Sequence, residues 1–95
     1  MAKIWRVRAH KDVIKKDVPL LKQQHLNNDF EEIISSLKKN PYHEFRHFEK
    51  LNPHHKNIFS LRINSQHRVV YTIDKANREV KIWSAWSHYE NRMPK

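Results

Sequence analysis

The sequence contains no cysteine and no glycine among its 95 residues. Without cysteine there is no disulfide framework, no thiol nucleophile and no thiolate metal site, which fits a reducing compartment. Without glycine, tight turns must use Asn, Asp and Pro. No apolar run approaches the roughly 20 residues needed to span a bilayer, and the N-terminal residues have no signal-peptide apolar stretch. We therefore expect a cytoplasmic protein that makes no membrane contact.

Acidic residues are also scarce, because ten Asp and Glu are set against nineteen Lys and Arg, for a formal net charge of +9 at pH 7. Such a charge attracts polyanions, so a nucleic acid or an acidic protein is the expected partner. Solubility alone is the competing explanation. The length predicts a single domain over residues 1–95, with a modest core because only 38% of the residues are hydrophobic.

The first half of the chain has a helical pattern. Residues 3–8 favour a short strand, and residues 11–26 then follow helical spacing. Pro19 interrupts this spacing, so either the helix bends there or a second piece begins with Asp17 as its cap. These two alternatives remain open from the sequence.

A second helix is predicted from the capping-box spacing of Asp29 and Glu32, and it should end at Asn40-Pro41. Lys38 and Lys39 then fall in its last turn, where the helix dipole favours cations. Its apolar stripe consists of Phe30, Ile33, Ile34 and Leu37.

Beyond residue 57 the apolar period changes to two, which predicts a β-meander. Turns are expected at residues 64–66 and 74–78, and the last strand should cover residues 80–86. The alternation places one set of side chains toward the helices: Phe59, Leu61, Ile63, Val69, Tyr71 and Ile73. Arg62 and Arg68 then project from the other face, which we expect to be open to solvent. The predicted fold is α+β, an antiparallel sheet with two N-terminal helices on one face, in the order β-α-α-β-β-β.

Four residues have side chains suited to RNA cleavage without a metal: Glu49, Arg68, His88 and Tyr89. That reaction needs a base for the 2′-hydroxyl, an acid for the departing 5′-oxygen, and cations for the phosphorane-like transition state. Residue type alone does not distinguish these roles from a surface ion pair, an exposed strand arginine or a chain-end histidine.

The segment INSQHRVVYTID is followed after one hairpin by VKIWSAWSHYE. These segments resemble the YoeB/Txe branch of the RelE-like toxins, in which an HR(L/V)VY strand precedes a final strand ending in HY. FEKL resembles the segment with the catalytic glutamate, and KDVIKKDVPLLKQQHLNNDFEEIISSLKKNPY resembles the helical pair. The resemblance covers residues 3–90 and implies a RelE-like fold.

The resemblance also implies roles. Glu49 corresponds to the general base, His88 to the general acid, and Arg68 to the arginine at the scissile phosphate. Tyr89 corresponds to the aromatic residue that orients the nucleotide, and Arg62 to a phosphate-binding position. The implied activity is that of a toxin of a type II toxin–antitoxin system, a metal-independent mRNA interferase without cofactor that cuts in the ribosomal A site and leaves a 2′,3′-cyclic phosphate. The implied partners are the ribosome, mRNA, an acidic antitoxin of the YefM/Phd kind, and a second copy of the chain.

The sequence departs from the family pattern in two places. The family's chain usually stops at HY or one residue later, whereas this one continues through residues 90–95. Asn52 replaces a lysine found in some relatives, and residues 53–56 differ from the usual loop. We therefore expect phosphate contacts to shift to Lys50 or Lys56, with His67 as a further RNA contact beside Arg68.

Other interpretations are weaker. A metal site is disfavoured because the spacing of its candidate ligands fits no closed structural site: His43, His47, His54 and His55. The three tryptophans are more typical of core or interface anchors than of base-stacking platforms: Trp5, Trp83 and Trp86. The alternative functions are a non-enzymatic gyrase inhibitor of the ParE type on the same scaffold, and a plain ribosome- or RNA-binding module.

Overall fold

The computed structural model describes residues 4–52 and 56–86. Its strands are β1 (Arg6–Ala9), β2 (Glu49–Lys50), β3 (Ile58–Arg62), β4 (Arg68–Asp74) and β5 (Glu79–Ser84). A π-helical turn (Val13–Asp17) leads into α1 (Val18–Gln23), and α2 (Asn27–Lys39) follows. Across these ranges no helix is long and apolar enough to cross a bilayer.

The strands form one sheet in the order β1-β5-β4-β3-β2, with the three pairs from β2 to β5 antiparallel. The α+β class is confirmed. The sheet is mixed, however, because β1 pairs parallel with β5, and β2 adds a short edge strand that was not predicted. The parallel pairing lines up Val7 and Ala9 with Val80 and Ile82. Alternation indicates which side chains point inward, but it contains no information on strand direction.

The main core lies between the helices and one face of the sheet, as the alternation predicted. Most of the expected inward residues are at least 93% buried, and Ile73 packs against them half-buried. From α2, Ile33 and Leu37 are buried, while Phe30 and Ile34 pack at the margin. Tyr71 is fully buried, its hydroxyl donates to the carbonyl oxygen of Pro41 at 3.0 Å, and burial raises its pKa.

The other sheet face was predicted to be open to solvent, and this is wrong for the part of that face that contains Ile58 and Val70. Ile58 and Val70 are 4% and 1% exposed, and they form a second apolar cluster with Leu51. Leu51 covers them because its backbone N–H bonds the Ile58 carbonyl and extends the pairing of β2 with β3. Arg62 and Arg68 remain exposed beyond this cluster.

The Pro19 question is answered in favour of two pieces. The π-helical turn ends at Asp17, and α1 starts at Val18 with Pro19 in its first turn. Asp17 stands at the N-cap position but makes no side-chain cap hydrogen bond. Its buried carboxylate instead accepts the backbone N–H of Ala85 at 2.9 Å.

The predicted capping box of the second helix is wrong. Helix α2 begins at Asn27, its N-cap is Leu26, and no side chain caps it. Asp29 and Glu32 bind the guanidinium of Arg46 instead. The C-terminal boundary was predicted correctly, since the helix ends at Lys39 directly before Asn40-Pro41.

Candidate functional site

Two arginines lie directly opposite each other on the exposed end of the sheet. Arg62 is the last residue of β3 and pairs with Arg68, the first residue of β4. The neighbouring Ile63 N–H donates to the His67 carbonyl at 2.8 Å. Arg62 and Arg68 are thus a non-hydrogen-bonded pair, in which the Cβ atoms lie only about 4.5–5.5 Å apart. We refer to these two residues as the arginine pair.

The arginine pair is not neutralised within residues 4–52 and 56–86, where no carboxylate comes within salt-bridge distance of either guanidinium. Like charges placed opposite each other on a sheet destabilise it. Such an arrangement is therefore unfavourable unless an anion binds between the two side chains. Arginine is also the side chain whose planar fork best matches phosphate geometry.

Glu49 lies on the same face as the arginine pair. In the short strand β2 it pairs with Ser60, which is two residues before Arg62 on β3. A diagonal neighbour of this kind lies about 7–8 Å away. Glu49 is exposed. The pairing gives it a defined register at the edge of the sheet.

His67 holds the end of β5 beside the arginine pair. Its Nδ1–H donates to the carbonyl oxygen of Trp86 at 3.0 Å, and the two rings stack with centroids 3.9 Å apart at 16°. One ring nitrogen and one ring face of this predicted RNA contact are thus occupied by a structural interaction. Nε2 remains the nitrogen that can face a ligand.

His88 and Tyr89 lie outside the described residues. They follow Trp86 by two and three positions in the sequence. The backbone leading to them is held at two adjacent residues, since Asp17 binds Ala85 and His67 binds Trp86.

The two lysines proposed as substitute phosphate contacts do not join this group. Lys50 pairs with Phe59, so it belongs to the helix-facing side of the sheet, and its Nζ lies 5.8 Å from the Phe59 ring centre. Lys56 is exposed just before β3 begins, at the opposite end of that strand from Arg62. Of the predicted phosphate-binding residues, the structure brings together Arg62, Arg68 and His67.

Sequence reasoning missed Arg46. Its Nη2 donates to Asp29 at 3.0 Å and to Glu32 at 3.1 Å. Burial alone would lower the pKa of Arg46, but the hydrogen bonds and charges of these two carboxylates raise it above its ordinary value. The signal available in the sequence was the pair of carboxylates three residues apart on one helix, which also matched a capping box.

A surface depression of about 320 Å³ adjoins Arg62 of the arginine pair. Its lining includes Arg46, His47, Arg62, Ile63, Asn64 and Ser65. Asn64 shapes the turn below it, because its Oδ1 accepts the backbone N–H groups of Gln66 and His67 at 2.9 and 2.8 Å.

The structure bears on the metal-site and tryptophan interpretations at the residues that it describes. Among residues 4–52 and 56–86 no three potential ligands cluster in a way that could hold a metal, and His54 and His55 fall outside these ranges. Trp5 and Trp83 are buried, and the Trp83 Nε1–H donates to the Thr72 hydroxyl at 2.9 Å. Both fit the anchor interpretation.

Comparison with known proteins gives a consistent result. The model of the YoeB-like toxins of bacterial type II toxin–antitoxin systems matches residues 11–89. A YoeB–YefM complex from Staphylococcus aureus has a TM-score of 0.71 at 26% identity, covering 90% of this chain and 98% of that one. A YoeB dimer from the same organism has a TM-score of 0.72 at 26% identity and the same coverage.

A third solved structure, a YoeB/ParE toxin from Agrobacterium tumefaciens, has a TM-score of 0.73 at 17% identity, covering 88% of this chain and 99% of that one. At this identity the likeness supports the fold alone. No sequence among the curated proteins matches significantly.

Proposed function

Because this chain belongs to the YoeB-like toxins of bacterial type II toxin–antitoxin systems, we propose that it is a ribosome-dependent endoribonuclease that cuts mRNA in the ribosomal A site. The observation that carries the proposal is the arginine pair, two exposed cations that no carboxylate of residues 4–52 and 56–86 neutralises, with Glu49 on the same sheet face. A phosphodiester bound between the cations would be within reach of a base.

In the proposed reaction Glu49 removes the proton from the 2′-hydroxyl of the nucleotide being cut. The 2′-oxygen attacks the adjacent phosphorus, and the arginine pair stabilises the charge of the phosphorane-like transition state. His88 protonates the 5′-oxygen as its bond to phosphorus breaks, while Tyr89 orients the base by stacking. The products are a 2′,3′-cyclic phosphate and a 5′-hydroxyl, and no metal or cofactor takes part.

The strand order supports this assignment of base and acid. In-line displacement needs the two proton-transfer groups on opposite sides of the phosphorus. Glu49 is on β2, the arginine pair is on β3 and β4, and β5 leads through Trp86 toward His88 in the sequence. The cations thus lie between the base and the strand from which the acid follows.

We also propose an acidic antitoxin and a second copy of the chain as partners. Among the similar structures are a YoeB–YefM complex and a YoeB dimer. An acidic segment of a YefM-like antitoxin would neutralise the arginine pair, and the net charge of +9 favours such a partner. In this proposal the antitoxin and the RNA compete for the same cations.

The test combines ribosomes, an mRNA and initiator tRNA with the purified toxin, and maps the cut ends. We expect A-site cleavage by the wild type. Glu49→Gln and His88→Gln should each lower the single-turnover rate by about 10²–10⁴-fold, the usual contribution of a general base or acid. Glu44→Gln is the matched control, because Glu44 is an exposed carboxylate of the preceding loop.

The proposal fails if the wild type makes no A-site cut, or if both variants cut as fast as the wild type. DNA-damage signalling on induction, without mRNA cleavage, would favour the gyrase inhibitor instead. Salt-sensitive RNA binding with neither effect would favour a plain binding module.

A further inference from the structure

The Arg46 side chain connects three parts of the fold. Its guanidinium donates to Asp29 and Glu32 on α2, and through Nη1 to the main-chain carbonyls of Ile63 at 3.2 Å and Arg62 at 3.4 Å. The side chain is only 20% exposed. Helix α2, the loop after it and the end of β3 therefore meet at one planar group.

The main chain of Arg46 adds a further contact. The N–H of Arg62 donates to the carbonyl oxygen of Arg46 at 2.7 Å. Both peptide groups of Arg62 are thus bound by Arg46, one through its backbone and the other through its side chain. The Arg62 guanidinium itself is left exposed and takes no part in these bonds.

This arrangement holds the backbone of Arg62 at the end of its strand. Arg62 is the last residue of β3, next to the turn at Asn64, and it faces the like charge of Arg68. Repulsion between the two guanidinium groups tends to push this end of the hairpin apart. The bonds from Arg46 oppose that movement while the two carboxylates of α2 neutralise its own charge.

We propose that Arg46 is a positioning residue for RNA cleavage, which holds Arg62 at the spacing from Arg68 that a phosphate group requires. This inference rests on the proposed function, because the effect of Arg46 on catalysis is measured as RNA cleavage. Arg46 does not contact the RNA in this account; it acts through Arg62. Lysine cannot replace it, because one ammonium group lacks the planar fork that reaches two carboxylates and two carbonyls together.

A double-mutant cycle separates this role from simple stabilisation of the loop. The single variants Arg46→Ala and Arg62→Ala and the double variant are compared with the wild type, at a temperature where circular dichroism shows all four folded. Cleavage under multiple-turnover conditions gives kcat and KM, and thermal melts report stability separately.

We expect Arg46→Ala to lower kcat/KM by about tenfold to a hundredfold, the effect of a displacement on the order of 1 Å at a reacting group. Once Arg62 has been removed, the Arg46 substitution should cause little further loss. Arg46→Lys should remain as impaired as Arg46→Ala. Arg8→Ala is the matched control, because Arg8 pairs with Glu79 at the far edge of the sheet. Its effect on kcat/KM should simply multiply with that of Arg46→Ala.

The positioning role is overturned if the effects of Arg46→Ala and Arg62→Ala on kcat/KM multiply, or if Arg46→Ala changes only the melting temperature. Restoration of full activity by Arg46→Lys would also overturn it.

Titration of the same proteins with a short single-stranded RNA gives a readout that does not need cleavage. Non-additive losses of affinity without any ribosomal cut would reject the enzyme and retain the positioning role. Cleavage by the wild type together with additive losses in the double-mutant cycle would retain the enzyme and reject the positioning role. The absence of both cleavage and RNA binding would overturn both proposals.

Discussion

Without glycine, this chain places other residues in the left-handed backbone region. Within the described residues five have positive φ: His25, Arg46, His47, Asn57 and Arg78. A Cβ atom in this conformation costs roughly 1–2 kcal/mol. At Arg46 the surrounding hydrogen bonds hold the backbone, and the strained position is the one that supports Arg62.

His25 is the position where glycine would normally stand. It follows α1, its N–H bonds the Lys22 carbonyl at 3.1 Å, and the Leu26 N–H bonds the Leu21 carbonyl at 2.8 Å. These two bonds form a Schellman motif, in which the residue after the C-cap is left-handed and most often glycine. Here φ is 58° on an exposed histidine.

His25→Gly should stabilise the protein by about 0.5–1 kcal/mol, because removal of the Cβ strain outweighs the greater freedom of glycine in the unfolded chain. Urea unfolding monitored by tryptophan fluorescence measures the change. His25→Ala is the control and should give no such gain, since alanine keeps the Cβ. Equal or lower stability for the glycine variant would contradict this account of the helix end.

At the scale of elements, β5 organises the molecule. It lies between β1 and β4, contributes Val80 and Ile82 to the core, and ends where two contacts from distant segments hold Ala85 and Trp86. One of these contacts is the carboxylate of Asp17, which is 1% exposed. From the sequence, a helix cap was one of two alternatives left open for that residue.

Asp17→Ala should destabilise the protein by about 1–3 kcal/mol, because the buried N–H of Ala85 loses its acceptor. Asp17→Asn keeps an oxygen acceptor and should lose less. Chemical denaturation gives the free energy of unfolding, and hydrogen exchange at the Ala85 amide reports the contact directly. Unchanged exchange at that amide in Asp17→Ala would show that the carboxylate does not hold β5.

The sequence predicted the elements that depend on local periodicity. The meander, the end of α2 before Asn40-Pro41 and the opposed faces of Arg62 and Tyr71 all follow from alternation or from a strong stop signal. Contacts between distant segments were not predictable in this way. Asp29 and Asp17 both had plausible local roles as caps, and each side chain instead binds a group far away in sequence.

The candidate site shows the same division. Arg62 and Arg68 were placed on one face because strand alternation is a local property, and the hairpin then pairs them. Arg46 was missed because its importance arises from its contacts with α2 and β3, and the two carboxylates that could have indicated them, Asp29 and Glu32, also matched a capping box. The roles of Glu49, His88 and Tyr89 came from resemblance to a family and remain predictions.

At the scale of the whole molecule, the net charge of +9 should make the proposed RNA binding dependent on salt. The charge is spread over the surface, but the arginine pair places two neighbouring cations at the proposed contact with phosphate. Removal of one cation should weaken a local phosphate contact clearly, whereas it should change the general attraction of the whole surface very little.

The logarithm of the affinity for a short single-stranded RNA should fall linearly with the logarithm of salt concentration. Arg62→Ala and Arg68→Ala should each reduce the magnitude of this slope by about one. Lys22→Ala, an exposed cation in the last turn of α1, should leave it nearly unchanged. Fluorescence anisotropy at several salt concentrations tests this, and equal slopes for all three variants would rule out a local phosphate contact at the arginine pair.

The parallel pairing of β1 with β5 has a consequence for the order of folding during synthesis. The paired residues are about 70 positions apart, so β1 has no partner in the sheet until β5 has left the ribosome. Contacts this distant also slow folding, because a long loop must close before they form. The arginine pair belongs to a hairpin that is made earlier, but its surroundings on β5 and at Trp86 are made last among the described elements. A nascent chain must therefore extend beyond Trp86 before this face of the sheet can assemble.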